Sequence, residues 1–137
     1  QHAMTKVPGE CAFSINFGGT TQTYLDAVRD QTITLAQEIG KRRNVDFQLG
    51  ECVGSMPTPL NRGLRGRLCS QARDLNITNH VMATVGHDAS IFARAGIPSA
   101  MVLVRNQNGS HNAAEAMEIA DFGCGTQILA TTLLDLA

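Results

Sequence analysis

Tryptophan is absent from these 137 residues, tyrosine occurs once and phenylalanine five times. The few aromatics do not interleave with the one basic cluster, Lys41-Arg42-Arg43, and the net charge is only −1. Neither the stacking platform nor the cationic surface of a nucleic-acid-binding protein is therefore expected, and the cluster reads more simply as charge complementing the C-terminal dipole of a helix. No apolar run approaches the length of a membrane span and no signal peptide is visible, so the expected setting is cytoplasmic, with no membrane partner. Cysteine is limited to the widely spaced Cys11, Cys52, Cys69 and Cys124, which read as reduced thiols of the core rather than a disulfide framework or a zinc knuckle. There is no internal repeat, no low-complexity stretch, and no ligand pair of the H-E-x-x-H or C-x-x-C kind.

What is present suits a globular fold. With 43% apolar and 17% charged residues, the chain has enough apolar content for the core of one domain. Two of its prolines fall together in Met56-Pro57-Thr58-Pro59, where neither helix nor strand continues easily, and they divide the chain. Ahead of them residues 10–17 read as a strand and Gly18-Gly19-Thr20-Thr21 as a turn. Residues 24–43 read as a helix, because Leu25, Val28, Thr32, Leu35, Ala36 and Ile39 recur at helical spacing. Val45, Phe47 and Leu49 alternate with Asp46 and Gln48, the pattern of a half-buried strand.

Beyond the prolines Asn61 can cap a helix whose Leu64, Leu68, Ala72 and Leu75 form an apolar stripe, and a strand is expected near residues 80–83. Asp88 can cap a further helix that carries Ile91, Phe92 and Ala95 and ends at Gly96 before Pro98. Residues 100–104 are apolar throughout and read as the most buried strand. Asp121 opens a terminal helix expected to turn Phe122, Leu129, Leu133 and Leu136 inward, in spite of Gly123 and Gly125. Helices alternating with strands, one of them wholly apolar, predict an α/β (α+β) fold with a largely parallel, helix-covered sheet.

Two histidines follow strand-like runs. His87 lies in Thr84-Val85-Gly86-His87-Asp88-Ala89, and His111 in the polar loop Asn108-Gly109-Ser110-His111-Asn112-Ala113-Ala114-Glu115. Ligands collect beyond the carboxyl ends of strands in open α/β sheets, so the pair is a site candidate by position as well as by chemistry. Taken singly, a loop histidine is more often a solvated or backbone-bonded residue than a ligand, and the spacing of these two is not in itself a ligand signature.

Val7-Pro8-Gly9 followed by Phe13-Ser14-Ile15-Asn16, then Gly86-His87-Asp88-Ala89, then Ser110-His111-Asn112 with Glu115, in this order over nearly the whole chain, resembles the C-terminal part of the N-carbamoyl-L-amino-acid hydrolases and allantoate amidohydrolases. These belong to the aminoacylase-type zinc peptidase superfamily. The resemblance implies that residues 1–56 are the strand-helix-strand tail of a lid or dimerisation domain, and residues 57–137 the closing part of a two-metal catalytic domain. It implies His111 as a ligand to zinc or another divalent ion, and His87 as the group stabilising charge on the oxygen of the scissile carbonyl. Gly86 and Asn112 would be substrate-binding, and Asp88 either an orienting partner of His87 or a helix cap. The implied substrate is a small N-carbamoyl or ureido compound, and the implied assembly a homodimer.

Departures from the resembling pattern are equally specific. Its F-x-x-D-x-R segment, whose arginine grips the substrate carboxylate, has Asn16 and Gly18 here, and glycine cannot make that bidentate contact. A substrate-binding asparagine is replaced by Thr5, a glycine-rich lead-in by Ala83-Thr84-Val85, and the proline after His-Asn by Ala113. No H-x-D pair and no adjacent Glu-Glu occur, so most metal ligands and the general base are expected to lie outside these residues, leaving the chain inactive alone. Gln1-His2-Ala3-Met4 fits a cloning remnant ahead of a cut chain. The alternative to a hydrolase fragment is a non-catalytic oligomerisation module or a degenerate relative.

Overall fold

The computed structural model describes residues 7–83 and 86–137. Gln1-His2-Ala3-Met4, Thr5 and Thr84-Val85 lie outside the described residues. The chain divides into two compact units, Gln1–Leu49 and Gly50–Ala137, a boundary that falls ahead of the Pro57 and Pro59 break.

The first unit is built on α1, Gln22–Arg43. Thr21, in extended backbone, caps it by accepting the Tyr24 N–H at 3.3 Å. At the far end Lys41, Arg42 and Arg43 fill the last turn beside the free carbonyls, as expected from their charge. Asn44 then enters the left-handed region at φ 54°, and the Gly40 carbonyl accepts from both Asn44 and Val45. A β-carbon at Gly40 would stand 2.8 Å from the Val45 carbonyl oxygen, so the doubling-back of the chain needs glycine there. Ala36 is buried and Leu25, Val28 and Thr32 are half-buried, but Leu35 and Ile39 of the expected stripe are exposed.

In the second unit α2 spans Arg62–Asp74, α3 Ala89–Arg94 and α4 Ile119–Leu136. Asn61 caps α2 through its side-chain oxygen, 2.9 Å from the Leu64 N–H, while its own N–H donates to the Ser99 carbonyl at 2.8 Å. Asn76 and Gly96, both left-handed, close α2 and α3 with bonds from Ile77 to the Ala72 carbonyl and from Ile97 to the Phe92 carbonyl. The helices α2 and α4 pack on each other, with Ala72, Ile128 and Thr132 buried and Arg67 paired with Asp135.

The α/β fold with parallel strands does not form. Residues 10–17, 45–49, 80–83 and 100–104 carry no ladder, and the one β-type pairing among the described residues is an isolated antiparallel bridge between Gln107 and Ala116. Alternation and unbroken apolar runs express a preference for a pleated, half-covered surface, but a strand exists only where a neighbour takes its backbone bonds. The 100–104 run instead lies half-buried along α4, apart from Leu103, which is exposed. Gly125 permits the approach, because a β-carbon there would be 2.8 Å from Val104 Cγ2 and 3.8 Å from Val102 Cγ1. Gly123 has no such neighbour within 4 Å.

The leucine face expected to point inward on α4 is also corrected. Phe122, Leu129, Leu133 and Leu136 are exposed, and the covered face runs through Cys124, Gly125, Ile128, Thr131 and Thr132. Small residues let α4 sit close to its neighbours, and this selects a face one residue out of phase with the leucines. Cys69 and Cys124 are half-buried thiols, whereas Cys11 and Cys52 are exposed and not part of any core.

Candidate functional site

Residues 105–118 form the most fully bonded polar region of the second unit. At its base Arg105 binds the Asp121 carboxylate through Nε and Nη2, both at 2.9 Å, which raises the guanidinium pKa further above its ordinary value. Gln107 and Ala116 exchange backbone bonds of 2.7 and 3.3 Å, and the Gln107 amide donates to Glu118 at 2.9 Å. The loop so closed contains three left-handed residues, Asn108 (φ 62°), Gly109 (φ 75°) and His111 (φ 62°). Asparagine and histidine are among the non-glycine residues that enter this region most readily.

Glu115 organises the loop. Its Oε1 accepts from Asn106 Nδ2 at 2.9 Å and from Ser110 Oγ at 3.0 Å, and its Oε2 accepts the His111 N–H at 3.0 Å. These bonds to the charged form, led by that from Asn106, hold its pKa below the usual carboxylate value. Asn112 bridges the turn: its Nδ2 donates to the Asn108 carbonyl at 2.9 Å and its Oδ1 accepts the Ala114 N–H at 2.8 Å. The predicted substrate-binding Asn112 thus has a donor and an acceptor engaged within the loop. The His111 imidazole is exposed and has no hydrogen-bond partner among the described residues.

Gly86 and His87 are exposed in the connection before α3. Asp88 takes the N-cap position of α3 with helical backbone, but its side chain makes no capping bond; the helix starts instead on the His87 and Asp88 carbonyls. In the first unit, Lys41, Asn44, Asp46 and Phe47 line a shallow groove at the end of α1 that includes none of the predicted site residues.

The sequence profile of Peptidase family M20/M25/M40 matches residues 5–135. The chain belongs to this family. Membership brings metal-dependent peptidase or hydrolase chemistry in general, and is consistent with the resemblance at the level of the M20 superfamily rather than of the carbamoylases. A comparison with curated proteins finds no match.

A divalent ion is what the M20 family implies, and the described residues do not by themselves fit one. Zinc takes three or four protein ligands, and among the described residues no group of three or more His, Cys, Asp and Glu side chains converges. No helix of the described residues is long and apolar enough to cross a membrane.

Reading the sequence alone missed how Asn106, Ser110 and Glu115 meet. A signal was available in the polar run from Asn106 to Asn112, whose amides and hydroxyl need partners and whose nearest downstream carboxylate is Glu115. The Arg105–Asp121 pair joins residues sixteen positions apart and leaves no comparable local trace.

Proposed function

We propose that this chain supplies the histidine-bearing part of a metal-dependent hydrolase that cleaves C–N bonds of N-carbamoyl or ureido compounds. The observation that carries the reading is the His111 loop, in which an exposed imidazole with no competing hydrogen bond among the described residues sits on a backbone held by a carboxylate. In this reading His111 contributes one metal ligand and the remaining ligands and the general base lie outside these residues. Residues 1–56 then belong to a lid and 57–137 to the catalytic domain. His87 would donate an N–H to the carbonyl oxygen as negative charge develops on it, with Gly86 and Asn112 lining the substrate and Asp88 orienting the ring. Cytoplasmic residence and a homodimer complete the proposal.

Calorimetry of the purified chain with zinc, alongside hydrolysis of an N-carbamoyl amino acid and of an uncharged ureido compound, tests it. Weak zinc binding and no turnover are expected of the chain alone. Stoichiometric tight zinc would show that the other ligands are present here, and would sink the division of labour.

A second reading, a non-catalytic oligomerisation module, is favoured by one observation: Leu129, Leu133, Leu134 and Leu136 leave much of α4 apolar and exposed. Turnover of neither compound by any longer form of the protein, together with concentration-dependent association, would favour it.

A further inference from the structure

A histidine outside the right-handed regions of backbone space needs something to keep it there. His111 has φ 62°, two residues after Gly109 in the same region, a conformation that costs any residue but glycine something, even one that enters it as readily as histidine. Its one backbone tether in the turn is the N–H donated to Glu115 Oε2 at 3.0 Å. The other carboxylate oxygen is held from two sides, by Asn106 Nδ2 and Ser110 Oγ, so the carboxylate cannot rotate away without losing both. We propose that Glu115 is a positioning residue that holds His111 in its left-handed conformation, and so fixes the backbone from which the exposed imidazole projects. The conformational role stands on this geometry; that it serves catalysis rests on the functional reading of His111 above.

The geometry separates this role from general scaffolding, because the two carboxylate oxygens do different work. A glutamine at position 115 has one acceptor oxygen in place of two; with that oxygen on the side of the two donors Asn106 and Ser110, its NH2 group faces the His111 N–H, donor against donor. The bridge between Gln107 and Ala116 uses backbone atoms alone and does not depend on Glu115. Glu115→Gln should therefore release His111 while sparing the base of the loop. Glu115→Asp, one methylene shorter, should fail to reach and should resemble Glu115→Ala.

Amide hydrogen exchange followed residue by residue by NMR on the purified chain reads this directly. In Glu115→Gln the His111 amide should exchange about tenfold faster, the loss of one charge-assisted bond, while the Gln107 and Ala116 amides stay within about twofold of wild type. A His111 amide equally protected in the glutamine variant would overturn the proposal. Uniform loss of protection at His111, Gln107 and Ala116 would also overturn it, since Glu115 would then be a general support of the loop. The catalytic reading is judged separately, by His111→Ala in the active enzyme: unchanged hydrolysis would remove that reading and leave the exchange result to decide the role of Glu115.

Discussion

Two glycines of α4 two positions apart should respond unequally to the same substitution. Gly123 and Gly125 both lie inside a helix, where replacement by alanine ordinarily gains about 1 kcal/mol from reduced backbone entropy and better propensity. At Gly123 nothing stands within 4 Å of the new β-carbon, so Gly123→Ala should show that gain in full. At Gly125 the β-carbon would sit 2.8 Å from Val104 Cγ2, well inside the ~3.5–4.0 Å optimum for carbon atoms. The obstructing methyl belongs to a β-branched side chain with little rotamer freedom, so relief requires the 100–104 segment to retreat from the helix. Overpacking of this kind costs about 1–3 kcal/mol, which equals or exceeds the propensity gain. The two variants should therefore differ by roughly 1–3 kcal/mol, the difference being free of the shared propensity contribution. Urea unfolding followed by circular dichroism at 222 nm measures it, and adding Val104→Ala should relieve Gly125→Ala. Equal stabilisation by both single variants would mean that residues 100–104 do not lie against α4, and the packing described for the second unit would be wrong.

Asn61→Ala should lower the unfolding free energy by about 1 kcal/mol and Asn61→Gly by only a few tenths, since the cap bond to Leu64 is lost while the backbone bond to Ser99 survives; equal losses in urea melts would deny the cap its role. Glu115 has its pKa depressed below the ordinary 4.5, so its contribution to the loop is fully present above that value and is lost as pH falls through the lower folded-state value. A carboxyl carbon-13 titration of Glu115 with a midpoint at or above 4.5 would contradict the network. The uncovered leucines of α4 should drive concentration-dependent association, and a strictly monomeric mass by light scattering at micromolar concentration would show that they do not.

The helices were legible because their signals are local. The stripe of α2, the Asn61 cap and the stop at Gly96 are each set by residues within one or two turns of each other, and all three appear as expected. The strands were not, because a run such as 100–104 records only how its own side chains prefer to be covered, and here the cover is the flank of a helix at Gly125. The inward face of α4 differs for a related reason: leucine spacing reports hydrophobicity, whereas the covered face is the one on which Gly125 admits the 100–104 segment and on which Ile128 and Thr132 are buried. Of the candidate site, the sequence showed His111 and the presence of Glu115. The bonds between them depend on a loop shape that three left-handed residues create, and no periodicity encodes that.

The bridge between Gln107 and Ala116, reinforced by the Arg105–Asp121 clamp, makes the His111 loop a ring with a drawn neck. A ring of this kind has its closure entropy settled at the neck, so residues inside it can change without reopening the ends. The neck alone does not fix His111, which keeps its place relative to Glu115 only while the carboxylate also holds its N–H. Because Asp121 belongs to the first turn of α4, the clamp makes that helix the handle of the ring. A tilt of α4 would carry the neck of the ring with it, whereas fraying at the far end of the helix would leave the neck where it is.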